Sequence, residues 1–162
     1  PHPANLRVSW GAVLSGLLKT SFYTDAESDN SNSYIMETTK SWIDRTDGVV
    51  YPEDVRMIIQ WATWEHHKAL EEIVEFHKLL NDLGFKHIFF NGKDTFLDIP
   101  VADRYDLGES YLDPYLPEGS FDGYLQSHGF NTVITSNTHY GPDAHAAWAN
   151  HILRHITKYK II

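Results

Sequence analysis

Residues 55–92 read VRMIIQWATWEHHKALEEIVEFHKLLNDLGFKHIFFNG, and three patterns follow one another in them without a break. VRMIIQWATW is apolar on both faces, which suits a strand buried in the middle of a parallel sheet. From His66 to Leu83, the apolar residues Leu70, Ile73, Val74, Leu80 and Leu83 recur every three or four positions, the spacing of one helix face. Gly84 stands where a left-handed residue closes a helix. KHIFFNG then resumes a continuous apolar run. Strand, helix and strand joined so tightly predict a unit of the parallel α/β kind.

The alternation continues on both sides. Toward the amino end, SWGAVLSGLL supplies Trp10, Val13, Leu14, Leu17 and Leu18 at helical spacing, which predicts a helix over 8–18 despite two glycines. TSFYT reads as a short strand and DAESDNSNS as a loop dense in turn and N-cap residues. YIMETTKSWI returns to a helical pattern through Ile35, Thr39 and Trp42. Toward the carboxyl end, residues 93–119 are rich in Asp, Tyr, Pro and Gly and keep no period, so a long, partly ordered loop or lid is expected. SFDGYLQSHG predicts a short helix, NTVIT a last short strand, and PDAHAAWANHILRHI a final helix carrying Ala144, Trp148, Ile152 and Ile156. There is no internal repeat and no low-complexity tract.

A chain of 162 residues with 42% hydrophobic and 14% aromatic content is enough for one domain with a real core, spanning 1–162. The net charge of −9 and the scatter of lysines and arginines argue against nucleic acid or an anionic membrane as partner, since both need a basic face. Absence of cysteine excludes disulfides, thiol nucleophiles and cysteine metal sites. No apolar run approaches the roughly 20 residues of a membrane span, and PHPANL lacks the features of a signal peptide. Pro1 is not a translation start, so an upstream segment is expected.

NTHYGPDAHAAWANHI, residues 137–152, carries the clearest chemical candidate. His139 follows the expected NTVIT strand and precedes the last helix, at the carboxyl edge where open α/β sheets bind ligands. Imidazole is the usual general base near neutral pH; a loop histidine bonded to backbone explains the residue equally well. Gly141, Pro142 and Asp143 are explained by the helix start. His145 reads as a helix residue packing near His139. Glu65, His66 and His67 can join His139 in a nitrogen and oxygen metal set, and His151 and His155, one turn apart, can chelate zinc. Such pairs are also common on solvated helix faces, and neither a metal nor a cofactor is the expected reading. Most aromatic residues should fill the core; Tyr105, Tyr111 and Tyr115, inside the long loop, are the candidates for stacking on a sugar or touching a partner.

THYGPDAHAAWANHI resembles the last block of the SGNH (GDSL-like) hydrolases, in which a histidine is followed by a turn and a helix. It resembles more closely the His-aromatic-Gly-x-Asp/Glu-Ala-His/Gln-x-x-Trp-Ala ending of SGNH-like proteins of tailed phages, notably those of cyanobacteria. SWGAVLSGLL, SNSYIMETTKSWI and VRMIIQWATWE are similar to three further segments of that family, in the same order. The resemblance covers most of the chain through short, degenerate motifs. It implies a three-layer flavodoxin-like domain with a mostly parallel sheet of four or five strands, here lacking its first strand. It also implies a serine esterase or acetylesterase acting on an acylated carbohydrate or similar ester, with His139 as base and an upstream serine as nucleophile.

The departures from the family pattern are specific. The Gly-Asp-Ser block that holds the nucleophile is absent, and the aspartate expected three residues before the histidine is Ser136. A serine can accept from the imidazole N–H without stabilising an imidazolium as a carboxylate does. The oxyanion-donor glycine expected near Asp29 is missing, and the family's Gly-x-Asn corresponds to Trp61, Ala62 and Thr63. Asn32 and Thr63 are the residues that would stand in as donors, although a helix start and a buried hydroxyl account for them equally. These changes imply a catalytically degenerate domain with a structural or binding role, as in a phage particle. Its partner would be a small ester or carbohydrate ligand, or other protein subunits.

Overall fold

The computed structural model describes residues 9–20, 32–45, 55–61, 65–133 and 139–161. Within them the chain forms α1 (Trp10–Leu18), α2 (Asn32–Arg45), β1 (Arg56–Trp61), α3 (His66–Asp82), β2 (Lys86–Asn91), α4 (Phe121–Ser127) and α5 (Pro142–Tyr159). This is a mixed α/β arrangement of five helices and a two-stranded sheet among the described residues. The strands are parallel, from Arg56 opposite Lys86 to Trp61 opposite Asn91, as the central stretch predicts. The expected TSFYT strand lies outside the described residues. Among the described strands, β1 has β2 as its one neighbour, where an interior position was expected.

β2 organises the core because both of its faces are covered, which is why its sequence is apolar without alternation. Ile88 and Phe90 face a cluster built from Leu14 of α1, Tyr124 and Leu125 of α4, and Trp148, Ile152 and Ile156 of α5. Phe89 faces a second cluster with Trp61 of β1 and Ala69, Leu70, Ile73, Phe76 and Leu80 of α3, against which Ile35, Met36, Trp42 and Ile43 of α2 pack.

The helices stop for local reasons. Ser9 caps α1 through its hydroxyl, which accepts from the Ala12 N–H. At the end of α3, Gly84 adopts φ 79°, its N–H donates to Asn81 O at 2.9 Å and the Phe85 N–H to Leu80 O at 2.9 Å. That paired return is the Schellman closure anticipated at Gly84. Gly129 closes α4 in the same way.

The aperiodic segment 93–119 is packed, not draped. Phe96, Ile99, Leu107, Tyr111 and Leu112 are buried, and the Leu112 N–H donates to Phe89 O at 2.9 Å beside a parallel bridge between Phe89 and Tyr111. A second parallel bridge joins Asn91 to Ser120, so the chain runs twice along the edge of β2 opposite β1. Between these passes the 113–119 turn folds back on itself, with Leu116 N–H donating to Asp113 O and Gly119 N–H to Leu116 O. A Cβ on Gly119 would lie 1.7 Å from the Asp113 carbonyl oxygen, so the turn closes only around glycine.

The expected NTVIT strand differs. Its described part joins no parallel ladder: Thr132 bridges Tyr140 in antiparallel sense, and the Val133 N–H donates to His139 O at 2.9 Å. Its described residues therefore pair with those that lead into α5, and residues 134–138 lie outside the described residues.

Candidate functional site

The carboxyl end of β2 is where the candidate chemistry collects. Asn91 ends the strand, the Asp122 N–H donates to Gly92 O at 3.1 Å, and α4 starts there with Ser120 as its cap. The Phe121 ring, first in α4, meets Tyr140 edge-on at 5.5 Å and His145 at 5.6 Å. These contacts bring the His139 turn to that end of the strand. The exposed His139 ring takes part in no hydrogen bond among the described residues, while its carbonyl is held by Val133. His145 is partly buried and its Nδ1 has no partner; burial, and then the neighbouring His139, hold its pKa below the usual histidine value.

Asn32 is buried as the first residue of α2. It stands on a helix that packs on the α3 side of β2, whereas Tyr140, next to His139, belongs to the α5 side. Thr63 and Ser136, the other two residues singled out for catalysis, lie outside the described residues.

Sequence reasoning passed over Asp122, which looks like an ordinary acid in the first turn of a helix. It is buried there, and burial raises its carboxyl to about 6, with Lys93 opposing the shift and Asp94 adding to it. A carboxyl that changes charge near neutrality at a strand end is a candidate proton carrier. Asn91, bridged to Ser120 two residues before Asp122, is fully buried, its Oδ1 accepting from the Tyr111 hydroxyl and its Nδ2 left without an acceptor.

The three tyrosines of the long segment separate sharply. Tyr111 is a core residue, 3% exposed, with its phenol committed to Asn91 and pushed well above its usual pKa by burial, so it offers no ring face to a sugar. The expectation for Tyr111 is corrected: the bridge to Phe89 turns it inward. Tyr115 is a clamp, its hydroxyl accepting from the Tyr105 N–H and donating to Tyr105 O, both at 3.0 Å. Arg104 lies 4.7 Å over the Tyr115 ring while donating to Ile99 O and Leu97 O. Tyr105, 47% exposed, is the one of the three with a ring open to a ligand.

Two of the histidines raised as metal ligands, His66 and His155, have other partners. His66 meets Asp98 at 2.5 Å, and among the described residues no group of three or more ligating side chains is assembled. His155 Nε2 donates to Glu109 O at 2.7 Å, whereas His151 sits against Tyr124 at 4.2 Å and Trp148 at 5.2 Å. The two are engaged separately, so they form no chelating pair.

Burial, with smaller contributions from Arg154 and the other histidines, lowers His151 to about 4, against an opposing pull from Asp113. The unfolded chain therefore takes up this proton before the folded one does. Stability from His151 is complete above pH 6.5 and is lost as pH falls toward about 4. Urea denaturation at a series of pH values should show a steeper acid decline for the native chain than for His151→Gln across that window. Equal slopes would remove the buried, neutral assignment.

At the opposite end of β2 lies a relay of fixed direction. His87 Nδ1 is 2.9 Å from Phe85 O, which can only accept, so that nitrogen carries the proton and Nε2 is bare. His77 Nδ1, 2.8 Å away, must then donate to it, and Asn81 Nδ2 donates to His77 Nε2 at 2.9 Å. Both rings are neutral, consistent with burial lowering both pKa values.

No protein-family model matches the chain, and comparison with curated proteins and with solved structures returns no significant match. The likeness to SGNH hydrolases rests on the sequence motifs. No helix among the described residues is long and apolar enough to cross a membrane.

Proposed function

We propose that the chain is an SGNH-type α/β domain acting as a binding or structural component, such as one of a phage particle, and not as an ester hydrolase. One observation carries this reading: the carboxylate that would orient the imidazole is replaced by Ser136, and the exposed His139 ring has no hydrogen-bond partner among the described residues. A catalytic imidazole has to be kept in one tautomer and one orientation by an acceptor on its second nitrogen. The proposed domain has three layers, flavodoxin-like, around a parallel sheet of four or five strands. That architecture is supported by the parallel β1–α3–β2 unit, by the separate cores on the two faces of β2, and by the parallel bridges at Tyr111 and Ser120.

The alternative is a serine esterase with His139 as base and a serine supplied upstream. It is favoured by the position of the His139 turn beside Phe121, at the carboxyl end of β2. Hydrolysis of p-nitrophenyl acetate separates the two. The 162-residue chain and its His139→Ala variant are expected to match each other and the rate of free imidazole. Removing a nucleophile or oxyanion donors typically costs several powers of ten in rate. Saturable turnover that His139→Ala abolishes would establish the esterase instead.

A further inference from the structure

A cleft of about 270 Å³ opens between the 113–119 turn and the face formed by Tyr124 and the second half of α5. We propose that it binds a neutral, polyhydroxylated ligand the size of one sugar ring. His139 does not line this cleft, so sugar binding here does not depend on ester hydrolysis.

The cleft is rigid on both sides. On one wall, the glycine-dependent closure of the 113–119 turn fixes Asp113, in left-handed conformation at φ 42°, together with Leu116 and Glu118. On the other, Tyr124 is held between His128, stacked at 4.0 Å, and His151 at 4.2 Å, with Arg154 donating to its hydroxyl at 3.2 Å. Little reorganisation is needed before a ligand enters.

The groups left over describe the ligand. Tyr124 accepts from Arg154 and keeps its own hydroxyl proton to donate. His128 Nδ1 is 2.8 Å from Tyr124 O, so in the neutral ring Nε2 holds a free lone pair. His151, kept neutral by burial, has one donor and one acceptor nitrogen, and no hydrogen bond among the described residues uses either. Asp113 and Glu118 add exposed carboxylates, and Leu116, 54% exposed, adds an apolar wall. Donors and acceptors intermingled beside an apolar patch match vicinal hydroxyls, each of which donates and accepts, on a ring with C–H faces. Two carboxylates against one guanidinium oppose an anion. The volume falls below the roughly 300–1,000 Å³ of pockets for drug-sized molecules, which limits the occupant to about one ring.

The test is an NMR titration of the whole 15N-labelled chain with D-glucose, D-galactose, D-mannose and N-acetyl-D-glucosamine, and with inorganic phosphate as a separate arm. At least one sugar should give saturable shifts confined to residues 113–119, 124–128 and 151–154. The double variant Asp113→Asn, Glu118→Gln should weaken that sugar roughly tenfold or more, since it removes charged acceptors. Both side chains are exposed, and asparagine tolerates the left-handed conformation, so the fold survives the change. Tyr124→Phe, which keeps the ring stack and removes the hydroxyl, should weaken binding as well. No saturable shift with any of the four sugars, a response to phosphate alone, or an affinity unchanged in the double variant each overturns the proposal.

Discussion

Replacing Trp148 with alanine is expected to destabilise the domain by about 3–5 kcal/mol, the largest effect of any single truncation in the α5 core. Trp148 is fully buried and its ring meets Phe90 of β2 at 5.2 Å, Phe121 at 5.6 Å and Tyr124 at 5.3 Å, so it joins the sheet to both carboxyl-terminal helices. Its removal leaves a cavity that three aromatic neighbours cannot fill without leaving their own rotamers. For a chain of this length the midpoint of thermal unfolding should fall by about 6–20 °C. Trp148→Phe is the informative companion. The indole N–H is buried without an acceptor, so phenylalanine gives up volume but also removes an unsatisfied donor. The phenylalanine variant should therefore retain most of the stability that alanine loses. Equal losses in the two variants would mean that the indole N–H has a partner.

Gly119→Ala is expected to cost about 3 kcal/mol, near the upper end for overpacking, because the obstacle is backbone and not a movable side chain. The added carbon would meet the Asp113 carbonyl oxygen at 1.7 Å, and a turn tied to Leu116 on both sides has no slack to absorb it. Gly16 is the control. A Cβ there meets nothing within 4 Å, so alanine in α1 should add about half a kcal/mol through helix propensity. Urea denaturation of both variants checks the contrast, and a Gly119→Ala chain as stable as the native one would show that the 113–119 turn is open.

The elements legible in the sequence are those whose shape is dictated locally. α3 announces itself through Leu70, Ile73 and Leu80 and ends at Gly84, and β2 through an apolar run that only a doubly covered strand would carry. The packing of residues 93–119 was hidden because Phe96, Ile99 and Tyr111 are buried by partners far along the chain, and no period marks them. NTVIT shows what a local pattern leaves open: an apolar run does not say which segment it pairs with, and the described Thr132 pairs with Tyr140 in antiparallel sense. At the candidate site, His139 was expected at the carboxyl edge because it follows NTVIT, whereas what ties its turn to the end of β2 is the contact of Tyr140 with Phe121. Asp122 and the stack around Tyr124 were not legible, because each depends on how α4 meets a neighbour: β2 in one case, α5 in the other.

The His77–His87 relay makes the junction of α3 and β2 audible to spectroscopy. Each Nδ1 proton faces a protein acceptor instead of water, so both should resonate far downfield in proton NMR and resist exchange. They should disappear together when the helix end lifts from the strand, which makes them a probe of partial opening that precedes global unfolding. Polarity in the chain is set at one end by an amide that can donate. In Asn81→Asp the carboxylate can only accept, so His77 would need a proton on each nitrogen, and its ring 15N shifts should move to imidazolium values near neutral pH. One side chain on the surface thus decides the charge of a ring beneath it.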